Sequence, residues 1–227
     1  MTAETTRPGA PTLVEDLLLL LFQPRSGTIA GENTLFYVLA GAVLADLALA
    51  DRVTVGNRRK VEIAEGQAPS DELLRPAWDY LSEKPRGVQT VLAAIGPELR
   101  KPVLERLVER GDIRREDRKL LGLFRTTALR DGGTGRRAGL LAEVRQVLVD
   151  GAEPSARVAA LVALLSGSGT LPQFYRDIPW TTPVITRAKE LEQGNWGAGA
   201  AAEAVTRTVT ATVVNSVIVT TTVIPRS

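Results

Sequence analysis

The chain has 227 residues, 44% of them apolar, with 28 basic and 26 acidic side chains, so it can bury a sizeable core and is close to neutral as a whole. It contains no cysteine and no histidine, which excludes disulfides, thiol chemistry, and the commonest metal ligand and general base. No metal site, cofactor or catalytic residue is expected, and the chain reads as a non-enzyme because nothing supplies a convergent nucleophile and base.

Residues 1–11, polar and interrupted by Pro8, Gly9 and Pro11, read as a disordered tail ahead of one domain over 12–227. In TLVEDLLLLLF, six apolar residues run from Leu17 to Phe22. The run is too short for a membrane span, which needs about 20 residues, and it is preceded by carboxylates where a secretory signal has positive charge. Thr12 and Glu15 form a capping box, and Leu13, Leu17, Leu20 and Leu21 recur at helical spacing, so this is a buried helix. After a loop over 24–33, residues 35–52 are apolar on nearly every face, with Gly41, Ala42, Ala45 and Ala48 offering small surfaces for helix contact, as in a buried helix.

Val53 and Val55, then Val61 and Ile63, alternate around Gly56-Asn57 and predict a short hairpin. Residues 71–84 form an amphipathic helix interrupted at Pro76. Two helices follow, 87–96 and 97–111, the second capped by Gly111. LLGLF, RTTAL and Asp131-Gly132-Gly133 read as a strand and an exposed loop, and Ala138 to Val149 as a helix. Residues 155–170 and the segment from Val184 to Gly194 are further helices. The last segment, 200–224, mixes an alanine-rich start with β-branched residues; its length makes it a helix, since strands run to about 10 residues. The fold class is therefore mainly α, a central helix bundle surrounded by amphipathic helices with one or two short β-hairpins.

Charge is uneven along this chain. Between Glu98 and Arg145 thirteen basic residues face eight acidic ones, an excess of five. Arginine suits phosphate because its planar fork donates paired hydrogen bonds, so anionic lipid and nucleic acid both fit as partners. A solvated surface with intrahelical ion pairs fits as well. A helix ending LVERG, a short helix after it, then LLGLF and a basic Gly-rich loop has the rhythm of a winged-helix unit, which makes nucleic-acid binding the alternative reading.

Four segments in order, TLVEDLLLLL, LAGAVLADLALADRV with its hairpin, LVERGDIRRE followed by LLGLF, and the alanine-rich last helix, make the chain resemble the Golgi phosphoprotein 3 family over about residues 12–215. The resemblance implies a bacterial, actinobacterial member with a mostly helical fold and a hairpin loop that dips into the membrane. Eukaryotic members are peripheral membrane proteins on the cytoplasmic face of the Golgi, where they bind phosphatidylinositol 4-phosphate and retain glycosyltransferases as adaptors. For this chain it implies a cytoplasmic, peripherally membrane-associated adaptor, with an anionic phospholipid or phosphoinositide, a membrane-enzyme client and a second copy of itself as candidate partners. Nucleic acid ranks below these, and a protein-only scaffold is the third reading. The family's headgroup tryptophan falls near Gly31, an arginine falls at Ala40, and of two arginines three apart the first falls at Pro97 and the second is kept as Arg100. The lipid headgroup residues implied are Arg100 and Lys101 with Arg130, Arg136 and Arg137; the membrane-contact loop, ALRDGGTGRRAG, contributes Leu129, Gly132 and Gly133.

Overall fold

A computed structural model of the chain describes residues 9–64, 66–120, 124–194 and 200–222. Helix α1 (Leu13–Leu21) starts at the expected capping box: the Thr12 hydroxyl accepts from the Glu15 N–H, and the Glu15 carboxylate accepts from the Thr12 N–H at 2.8 Å. Strands β1 (Phe22–Gln23) and β2 (Thr28–Ile29) pair in a small hairpin. Helix α2 (Leu35–Leu49) is the centre of the bundle, packed against α1, α4 (Val88–Glu109), α6 (Ala156–Gly167) and α8 (Ala200–Thr222). Its small residues admit these neighbours: a Cβ at Gly41 would meet Val209 of α8 and Leu164 of α6. Helix α3 (Arg75–Ser82) lies on α4, α5 (Arg136–Leu148) on α1 and α6, and α7 (Thr182–Glu192) on α6. The mainly helical bundle with minor antiparallel strands agrees with the expected fold class.

Strands β3 (Val53–Val55) and β4 (Lys60–Ile63) form the hairpin expected there, extended by β5 (Arg86–Gly87). The two-residue strands β1, β2 and β5 are too short to carry an alternating pattern, so the sequence gives no sign of them.

Three segments differ from expectation. The two helices expected over 87–111 are one: α4 runs through Pro97 and Pro102. Both prolines are exposed, where water can serve the carbonyls they leave unpaired, while Val91, Leu92, Ile95, Leu99, Val103 and Leu107 keep one continuous buried stripe. Pro76 does not interrupt a helix; it stands in the first turn of α3, where its missing N–H has no helical partner to lose.

The third difference bears on function. The segment after Gly111 is strand β6 (Ile113–Leu120), antiparallel to β7 (Phe124–Asp131), in register from Ile113 with Asp131 to Leu120 with Phe124. The short helix that the winged-helix reading requires is therefore a strand, and that reading loses its recognition unit. Alternating Arg114 to Lys119 disguise the strand, because neither face of the segment is apolar enough to show a period of two. The register also places Leu129 within β7 and Gly132 and Gly133 at the foot of the hairpin. The Gly132 N–H donates to the Asp112 carbonyl at 2.9 Å.

Candidate functional site

Four arginines of the basic stretch, Arg106, Arg110, Arg136 and Arg137, turn inward. Glu15 and Asp16, in the first turn of α1, are 0% and 3% exposed, and each meets two guanidinium groups. Arg110 Nε donates to Glu15 Oε1 at 2.5 Å; Arg106 Nη1 stands 3.7 Å from Glu15 Oε2 and 2.6 Å from Asp71 Oδ2. Asp16 is held by Arg136 and Arg157, each at 2.5 Å; Arg136 also pairs with Asp112 at 2.5 Å and Arg157 reaches Asp46 at 3.4 Å. Buried charges persist only when paired, and two carboxylates in a helix's first turn also face the positive end of its dipole. Arg110 and Arg157 further donate to the carbonyls of Gly9 and Pro11, so the chain is already held ahead of α1, within the last part of the expected 1–11 tail. The rest of that expected tail, residues 1–8, lies outside the described residues.

Two protonation equilibria are displaced here. Burial draws the Arg136 guanidinium down, but Asp16 and Asp112 outweigh it and hold the group above its ordinary value. Asp46 moves the other way: burial raises it to about 6, against the opposing pull of Arg157 and of the Leu13 N–H, which donates to it at 2.5 Å.

The residues expected at a lipid headgroup do not converge. Arg136 belongs to the internal network. Arg137 donates to the carbonyls of Phe22 and Leu20, at 3.0 and 3.4 Å, closing the end of α1. Burial lowers its guanidinium pKa, opposed by Asp177 and Asp131. Arg130 pairs with Glu116 across the hairpin at 2.8 Å, Arg100 pairs with Glu32 at 2.9 Å, and Lys101 is exposed on α4. Of the loop residues, Leu129 is half-buried against the core and its carbonyl crowds Gly27 of the β1–β2 turn. Of the positions that the resemblance aligns with headgroup residues, Ala40 is fully buried, a Cβ on Gly31 would meet the Thr170 methyl, and the retained Arg100 pairs with Glu32.

Outward-facing chemistry gathers at three other places. First, the hairpin β6–β7 projects, with Arg114, Arg115, Glu116 and Asp117 exposed. Its outer end pairs Lys119 with Arg125 and Leu120 with Phe124, and the intervening Leu121-Gly122-Leu123 lies outside the described residues. Second, the only exposed large apolar side chains among the described residues are Tyr175, 60% exposed, and Trp180, 43% exposed, on the loop between α6 and α7. Tyr175 and Arg176 share a cleft with Pro24, Arg25 and Arg137. Third, a groove of about 620 Å³ between α3 and α4 has a floor of Leu73, Pro76, Tyr80, Ile95, Leu99 and Pro102. Its rim carries Glu72, Glu98, Glu105 and Glu109, none of which has an ion-pair partner among the described residues. The seven- and eleven-residue spacing of Glu105 and Glu109 from Glu98 on one helix is the sequence signal for this rim. The split into two helices at Pro97 hid it.

Among the described residues no helix is long and apolar enough to cross a membrane, and no group of acidic side chains is arranged to hold a metal ion. A family model described as Golgi phosphoprotein 3 (GPP34) matches residues 13–208, most of the chain. No curated protein matches it.

Proposed function

The chain belongs to the Golgi phosphoprotein 3 family, and from that membership and its surface chemistry we propose that it is a non-catalytic adaptor that attaches peripherally to an anionic membrane. The observation that carries this reading is the outer end of the β6–β7 hairpin, where the sequence Leu120-Leu121-Gly122-Leu123-Phe124 is bracketed by Arg118, Lys119 and Arg125. Apolar residues flanked by cations in the sequence suit a bilayer surface, where apolar side chains favour the headgroup boundary and cations meet lipid phosphates. Tyr175 and Trp180, ring types favoured at membrane interfaces, support the same reading, as do Arg25 and Arg176 beside Tyr175.

The lipid specificity proposed is for charge, with a phosphoinositide as one ligand among anionic headgroups. Arg100 is neutralised by Glu32, and Gly31, Ala40 and Pro97 offer neither cation nor aromatic ring at the positions that the resemblance aligns with headgroup residues. The acid-rimmed groove supports the adaptor half of the reading. A client segment seated there would be apolar on one side and cationic on the other.

Flotation with vesicles containing phosphatidylserine, phosphatidylinositol or its 4-phosphate tests the membrane half. Binding is expected to all three at low salt and to be lost as salt rises. Reversing Arg118 and Lys119 to Glu is expected to weaken it about 1,000-fold, at roughly 1 kcal/mol per basic residue removed plus a comparable repulsion for each acid introduced. Absence of binding to every anionic vesicle at low salt would reject the reading.

A further inference from the structure

A second basic surface lies outside the stretch singled out in the sequence. At the β3–β4 turn, Arg58 and Arg59 both adopt left-handed backbone, with φ of 57° and 56°. Two consecutive non-glycine residues in that region are unfavourable, and such conformations persist where the placement of the side chains is wanted. Here the turn sends the two arginines to opposite sides. Arg58 joins Lys60 and Lys84 around one depression, where Glu62 supplies a compensating carboxylate. Arg59 faces α8 across a cleft of about 660 Å³, opposite Arg207, with Asn215 at its border and Val55, Val88 and Ala211 in its wall. Among the described residues no acidic side chain lines this cleft. Among the described residues neither Arg59 nor Arg207 has an ion-pair partner, in contrast to Arg100, Arg106, Arg110, Arg130 and Arg136.

We propose that the cleft between the β3–β4 turn and α8, gripped by Arg59 and Arg207, is a binding site for a phosphate group, free or carried as a phosphomonoester headgroup. Two guanidinium forks on one cleft, neither with an ion-pair partner among the described residues, supply paired donors, and the Asn215 amide can add a further donor. The apolar wall suits the carbon body to which a phosphate is attached. Among the described residues no aromatic side chain lines the cleft, and single-stranded nucleic acid uses such side chains for stacking.

The full chain titrated with inorganic phosphate and with pyrophosphate in a calorimeter, and floated with phosphatidic acid vesicles against phosphatidylserine vesicles of equal surface charge, tests this. Saturable binding of phosphate or pyrophosphate assigns the site to a soluble ligand. Preference for phosphatidic acid vesicles alone assigns it to a lipid headgroup. Either result supports the site provided that Arg207→Glu and Arg59→Glu each weaken it at least tenfold with an unchanged melting curve, and that Arg207→Ala, which carries no new charge, does so as well. The hairpin double reversal R118E/K119E is expected to leave phosphate binding unaltered, which separates this site from the membrane surface proposed above. Wild-type protein that binds none of these probes saturably, or Arg59 and Arg207 variants that bind like wild type, would overturn the proposal.

Discussion

Asp46 sits on the central helix of the bundle and meets the start of the first one, so its ionisation is felt by both. Burial lifts it to about 6 even though Arg157 and the Leu13 N–H favour its charged form. Because its folded value lies above its unfolded value, the stability it contributes is fully present below about pH 4 and is lost as the pH rises through about 6. Asp46→Asn can still accept from the Leu13 N–H and removes the titration. Between pH 4 and pH 7 the wild type is therefore expected to lose about 2–3 kcal/mol relative to the variant, read as the difference between their urea unfolding free energies at the two pH values. A parallel pH dependence in the two proteins would refute this. At this scale the candidate site was only partly legible. The excess of arginine between residues 98 and 145 is visible in the sequence, but what Arg106, Arg110 and Arg136 do depends on Glu15 and Asp16, which lie 91 to 120 residues from them. Charge counting along the chain cannot register a partner so far away, and so Arg136 and Arg137 read as surface cations when they are internal ties.

Helices with a strong local signature were legible as elements. The capping box of α1, the all-apolar α2, the Gly111 cap of α4 and the long α8 all follow from residues within one or two turns of one another. The elements that escaped are those settled by tertiary packing. Pro97 and Pro102 argue locally for a break, yet α4 continues because its buried stripe docks on α2 along its length. The closest point of that docking is Gly96, where a Cβ would stand 2.5 Å from the Phe36 carbonyl oxygen and 3.0 Å from its carbon. Those are backbone atoms, so the helices must part to admit even a methyl group. Gly96→Ala is expected to destabilise the protein by about 2 kcal/mol. Gly139→Ala, in α5 with open space around it, is expected to stabilise by roughly 0.5–1 kcal/mol. Thermal and urea melts of the two variants check both signs. The β6–β7 hairpin escaped for a related reason: a projecting hairpin with charge on both faces has no core side to reveal its period.

Over the whole molecule, near-neutral net charge conceals a division along α4, which at 22 residues is about 33 Å long. The three-stranded sheet with its cationic turn joins the helix at its start, the cationic hairpin follows its end, and the acid-rimmed groove runs along its side. Such a distribution lets one chain present opposite potentials to a membrane and to a client without the two competing. A synthetic peptide alternating leucine and arginine is expected to bind the groove, and Glu105→Lys with Glu109→Lys to weaken that binding about tenfold while leaving vesicle flotation intact. Fluorescence anisotropy of the labelled peptide measures it, and an unaltered affinity would remove the groove from the adaptor reading. The tie between α1 and the arginines of α4, α5 and α6 also has a consequence during synthesis. At about 5–20 residues per second, roughly 7–28 s separate the translation of Asp16 from that of Arg157, its last ionic partner. For that interval the nascent chain carries the run from Leu17 to Phe22 with its bundle incomplete. The helix that opens the fold thus has its last ionic partner only once the chain has been made as far as the start of α6.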